Sequence, residues 1–178
     1  MKRIVNLQVA LKPQDLLVAL KLALSGQKTA PYADLAKSLG MSASEVHASV
    51  GRLKLARLVV VIDDQQRIVT ASLREFVLQG ARYAFPAATG SQTAGLPTGY
   101  AVAPLATHIV QSSDLPPVWP YAKGTTRGIA LYPLYPSVPV AALNDTALYE
   151  CLSLFDALRV GRARERQLAQ RMLGERLS

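Results

Sequence analysis

Tyr32-Ala33-Asp34-Leu35-Ala36-Lys37-Ser38-Leu39-Gly40-Met41-Ser42-Ala43-Ser44-Glu45-Val46 holds the end of one helix and the start of the next. Leu35, Ala36 and Leu39 share one face of the first helix. Gly40 closes it, because glycine enters the left-handed conformation without a steric penalty. Ser42 and Glu45 have the S-x-x-E spacing of a capping box, in which each side chain satisfies a backbone N–H that the next helix leaves unpaired. Val46, Val50 and Leu53 then continue at helical spacing, so a second helix with one apolar stripe follows over about 43–57.

The same reading extends in both directions. Leu16, Leu17, Leu20 and Leu24 recur at helical spacing after Pro13, a residue suited to a first turn, and predict a helix over 13–24 ended by Ser25-Gly26-Gln27. Downstream, Leu58-Val59-Val60-Val61-Ile62 and Arg67-Ile68-Val69-Thr70 are rich in β-branched residues and flank the polar Asp63-Asp64-Gln65-Gln66. They predict a two-stranded hairpin.

Residues 32–46, followed by Val50, Arg52-Leu53 and Ala56-Arg57-Leu58-Val59, resemble the pattern of winged helix-turn-helix transcription regulators of the MarR, Lrp and IclR kind over about residues 12–70. The resemblance implies a winged helix-turn-helix domain over 1–80 whose third helix enters the major groove of double-stranded DNA while a two-stranded wing follows the backbone. Around the stripe of Val46, Val50 and Leu53, about 100° per residue sets Ser44, His47, Ala48, Gly51 and Leu55 away from the core. Arg52 and Lys54 fall on opposite flanks. Ser44 and His47 can then reach base edges, Arg52 and Lys54 phosphates, and the first turn at Ser42 can accept a phosphate. In the wing, Gln66 and Arg67 are the residues to present, since Asp63 and Asp64 repel phosphate. Ala48, Gly51 and Leu55 depart from the family, which commonly has long polar side chains there. Base readout is therefore sparse, and Leu55 points to packing on another part of the chain or on a partner.

Charge and proline divide the rest. Of 20 Lys and Arg against 12 Asp and Glu, a net +8, residues 1–80 carry eleven basic and six acidic side chains. Residues 81–144 hold only Arg82, Asp114, Lys123 and Arg127 as charges, but nine of the eleven prolines. Proline lacks the donor a central strand requires, so this segment is expected to form an irregular wrap and not a sheet. Gly95-Leu96-Pro97-Thr98-Gly99 reads as a turn and 72–79 as a helix leaving the hairpin. Residues 117–128 read as an aromatic latch over the helices or a small pocket. An Arg-rich C-terminal region over 145–178, expected to serve dimerisation or partner binding, is expected to hold two helices, 145–158 with Asn144 as N-cap and 162–177, separated at Val160-Gly161. The fold class is thus mainly α, of the α+β kind.

Arg162, Arg164 and Arg166 are either a solvated surface paired locally with Glu165 and Glu175, or a second anion or partner surface. The second half, residues 80–178 and especially 156–166, also resembles regulatory proteins found beside nucleotidyltransferase toxins in bacterial toxin–antitoxin or phage-defence loci.

The inventory offers little to catalysis. Cys151 is the single cysteine and reads as a buried filler in a reducing compartment. His47 and His108 are the two histidines, the latter in an apolar stretch that suggests a structural role. Ser112-Ser113-Asp114 reads as a cap, and no phosphate-binding G-x-x-x-x-G-K-[ST] loop occurs. No catalytic residue, metal or cofactor is expected. No apolar run reaches membrane-spanning length, and Asn6, Gln8, Lys12 and Asp15 interrupt the basic opening, so a cytoplasmic protein without membrane contact is expected. The resemblance implies a bacterial regulator, a dimeric repressor with double-stranded DNA as its partner. Two alternatives remain: an antitoxin or accessory protein binding a neighbouring gene's product, and a sensor with an effector pocket in 83–135.

Overall fold

The computed structural model describes residues 9–26, 31–63, 65–109 and 115–178. The basic opening, Gln27, Asp64 and Ser112-Ser113-Asp114 lie outside them. The chain is α+β, with helices, a two-stranded sheet and a three-stranded sheet.

Three helices come first: α1 (Pro13–Leu24), α2 (Tyr32–Leu39) and α3 (Ala43–Leu55). Gly40 ends α2 at φ 63°, with its N–H donating to Lys37 and that of Met41 to Ala36, so the last carbonyls of α2 are satisfied. Ser42 Oγ accepts from the Glu45 N–H at 3.2 Å, and Glu45 Oε2 accepts from the Ser42 N–H at 2.9 Å, which completes the capping box. The strands β1 (Val59–Ile62) and β2 (Gln65–Ile68) pair antiparallel from Val59↔Ile68 to Ile62↔Gln65. The helix expected over 72–79 is longer and less regular. It runs as α4 (Thr70–Glu75), widens into a π-helical turn over Phe76–Gly80, and closes as α5 (Ala81–Ala84).

The proline-rich segment differs from the expected irregular wrap. It contains β3 (Thr89–Pro97), β4 (Pro117–Pro120) and β5 (Thr126–Leu131). β3 pairs antiparallel with both others, and β4 and β5 pair parallel, so the three strands close on themselves. The prolines are compatible with this because they stand at strand ends: Pro97 ends β3, and Pro117 and Pro120 bound β4. There a missing donor costs no ladder bond, while the carbonyl of Pro117 still accepts from the Thr98 N–H at 3.0 Å. Gly95, read as part of a turn, is instead a strand residue, and a Cβ on it would lie 2.1 Å from the Trp119 carbonyl oxygen. Only glycine allows β3 and β4 to approach so closely.

Three helices follow where two were expected: α6 (Val138–Asn144), α7 (Thr146–Val160) and α8 (Ala163–Arg176). Pro139 sits in the first turn of α6, where no backbone donor is needed. Asn144, expected as an N-cap, is the last residue of α6. The cap of α7 is Asp145, whose Oδ1 accepts from the Leu148 N–H at 3.1 Å while Oδ2 pairs with Lys21 of α1 at 2.5 Å.

α7 is the central element, packed against α1, α5, α6 and α8. Its residues from Cys151 to Leu158 are all buried, and the apolar ones join Leu16, Leu20, Leu53 and Leu173 in one continuous core. Burial pushes the Cys151 thiol up to about 12. One polar junction crosses this core. Asp156 Oδ2 accepts from Trp119 Nε1 at 2.6 Å and from Thr98 Oγ1 at 2.8 Å, and Oδ1 pairs with the Arg159 guanidinium. Arg159 also donates to the carbonyls of Phe85 and Tyr132. Trp119 is therefore the latch of the two readings for 117–128, since it is buried against α7 and Tyr149, whose hydroxyl donates to the Pro97 carbonyl at 2.7 Å.

Candidate nucleic-acid interface

The face of α3 opposite the core is uncovered. Val46, Ser49, Val50 and Leu53 are buried, whereas Ser44, His47, Ala48, Gly51, Lys54 and Leu55 are exposed. Leu55 is 71% exposed, so it is not buried on another part of the chain among the described residues.

Tyr32, the first residue of α2, joins this face to the hairpin. The His47 ring meets the Tyr32 ring edge-on at 5.5 Å between centroids and 87° between planes. The Gln66 side-chain amide on β2 donates to the Tyr32 hydroxyl. Two residues expected to contact DNA from separate elements thus converge on one phenol, which holds helix and hairpin in a fixed relation. The sequence shows Tyr32 only as the start of a helix. Nothing local in it marks a partner for His47 or Gln66.

Arg52 is placed differently from the other expected contacts. Its Nε donates to Asp15 Oδ2 at 2.8 Å and its Nη2 to Asp15 Oδ1 at 2.6 Å, with Ser49 Oγ a further acceptor at 3.2 Å. The two side chains are 16% and 1% exposed. Asp15 also accepts the Lys12 N–H at 2.8 Å, so one carboxylate starts α1 and fixes it to α3. A bidentate pair at this depth is scaffold, and its guanidinium is already occupied. Lys54 and Lys37, by contrast, are exposed, and their side chains have no hydrogen bond or ion pair among the described residues.

At the start of α3, Ser42 Oγ donates to Glu45 Oε2 at 2.7 Å and lies 3.1 Å from Ser44 Oγ. Tyr135, in the loop before α6, donates its hydroxyl to Glu45 Oε1. These bonds, with Tyr135 the largest contributor, hold the Glu45 carboxyl at about 2 and raise the Tyr135 phenol. A Cβ on Gly40 would lie 3.3 Å from Ser137 Cβ, so the α2–α3 turn rests against the base of α6. Arg67 is half-buried on β2.

Arg162 and Arg164 are exposed at the start of α8, and Arg166 Nη1 donates to the Gly161 carbonyl at 2.6 Å. Glu165 accepts the Arg162 N–H at 2.9 Å, and Arg176 pairs with Glu150 at 2.7 Å. His108 is exposed at the end of a short turn, outside the apolar setting its neighbours suggest. Phe85, Pro86 and Tyr132 of the segment expected to form a pocket line a cavity of about 350 Å³ together with Pro13 and Arg159, which lie outside that segment. Among the described residues, no group of three His, Cys, Asp or Glu side chains could hold a metal ion, and no helix is long and apolar enough to cross a membrane. The chain matches no family model, no curated protein and no solved structure.

Proposed function

We propose that the chain is a transcriptional regulator that binds double-stranded DNA as a winged helix-turn-helix module, with α3 in the major groove and the β1–β2 hairpin along the backbone. The Tyr32 junction carries this reading: His47 and Gln66 meet on it, so α3 and the hairpin form one continuous face. A helix about 10–12 Å across with an uncovered face fits a major groove about 12 Å wide. Ser44 and His47 meet base edges there, and Lys37 and Lys54 meet phosphates. With so few donors on the face, backbone contacts supply most of the affinity, and binding falls steeply with salt.

Full-length protein titrated against a pool of random duplexes, at two salt concentrations, tests this. Lys54→Ala should weaken binding to every sequence and lower the salt slope by about one, whereas Ser44→Ala and His47→Ala should change which sequences are enriched. No enrichment over random DNA, or indistinguishable behaviour of the three variants, would end the proposal.

Exposed Leu55 beside Ala48 and Gly51 favours a second reading, in which the same face docks a protein, as an antitoxin or accessory subunit does. Co-purification with a protein that survives nuclease treatment and is lost in Leu55→Asp would select it.

A further inference from the structure

One edge of β1 carries no strand among the described residues. The strand pairs only with β2 among them, and Val60, Val61 and Ile62 are 39%, 52% and 46% exposed. Open edges are templates for another strand, and soluble proteins usually guard them with a lysine, a proline or a bulge. Val59-Val60-Val61-Ile62 contains neither lysine nor proline, and its ladder with β2 is regular.

The backbone fixes which residues are available at that edge. The Leu58 carbonyl accepts from the Val69 N–H at 2.9 Å and so points toward β2. Backbone groups alternate sides along a strand, so those of Val59 and Val61 point outward. Two copies related by a two-fold axis at Val60 can therefore pair antiparallel, with Val59 of each opposite Val61 of the other and four N–H to carbonyl bonds between them. That register brings Arg57 at one end of β1 opposite Asp63 at the other end of the second copy, twice. Both residues are exposed, and they are the two non-glycine residues with positive φ among those described, at 58° and 49°. A shift of two residues sets Arg57 against Gln65 or Val61 instead. A shift of one turns the outward groups out of phase.

We propose that β1 is the seam of a homodimer, formed edge to edge with a second copy of this chain and clamped by reciprocal Arg57–Asp63 pairs. Arg57 and Asp63 fit a partner of the same sequence, because a single strand supplies both halves of the complementary charge. The seam is short, below the ~1,200 Å² of a standard stable interface, so association is weak and concentration-dependent. The proposal stands apart from DNA binding, since self-association is measured without nucleic acid.

Sedimentation velocity of the full chain over a wide concentration range tests it, with far-UV circular dichroism to show that each variant is folded. The mass should rise toward that of two chains. Asp63→Arg or Arg57→Asp alone should weaken association about tenfold, because two opposite-charge pairs become two like-charge pairs. The double variant carrying both changes should restore it, as the same charges meet with their positions exchanged, and Val61→Lys should abolish it. A chain that stays monomeric throughout, a dimer indifferent to Val61→Lys, or charge reversals that do not rescue each other would overturn the proposal.

Discussion

The junction at Asp156 and the outer face of α3 treat charge in opposite ways. At Asp156 both carboxylate oxygens are in use, and Arg159 spends its donors on Asp156 and two carbonyls, with the ion pair 3% and 2% exposed. On α3, Ser44, His47 and Lys54 stand in solvent around small residues. Lys21, Arg52, Arg159 and Arg176 are each paired with a carboxylate of the chain itself, which leaves the net +8 unchanged and carried by the other cations. On α3 itself the unpaired cation, among the described residues, is Lys54.

The contrast can be broken most sharply at the buried junction. Asp156→Asn leaves Arg159 buried without its counter-charge and should cost about 3–5 kcal/mol of stability, read by urea unfolding. Trp119, the single tryptophan, bonds to the same carboxylate, so its emission reports the junction directly. Asp15→Asn should cost somewhat less, about 2–4 kcal/mol, because Arg52 keeps partial access to water. Any loss of DNA affinity in that variant should vanish once corrected for the unfolded fraction, whereas the loss in Lys54→Ala should persist. Gly40→Ala should cost about 1–2 kcal/mol, since alanine resists the left-handed backbone and its Cβ presses on Ser137.

The smallest effect is the response of Glu45 to acid. Its carboxyl lies at about 2 in the folded chain against 4.5 ordinarily, so the unfolded chain binds the extra proton between those values. The stabilisation is complete above the ordinary value and is lost as pH falls toward 2. Tyr135→Phe removes the largest cause of the shift, so unfolding midpoints should then vary less over the same pH interval, an effect that salt screens in part because Glu45 is only half-buried.

What could be read from the sequence was local. Gly40, Ser42 and Glu45 mark helix ends because capping acts over three or four residues, and the exposed face of α3 follows from its 3.6-residue period. The pairing of Asp15 with Arg52, or of Asp156 with Trp119 and Thr98, joins residues far apart in the chain, and no spacing announces it. The three-stranded sheet was hidden for another reason. Prolines at strand ends weigh as heavily in composition as prolines that would break a strand, and only the register tells them apart.

α1 has a consequence for how this chain could have been assembled. Leu16, Leu17, Val18, Ala19 and Leu20 are consecutive and buried, so the helix is covered on more than the side that faces α3, with α7 also packed against it. A helix apolar all round cannot face water. The three-helix and hairpin portion is therefore not a transferable cassette: cut away from α7, it would expose a greasy flank and aggregate. Grafting it onto another protein would require redesigning α1 first.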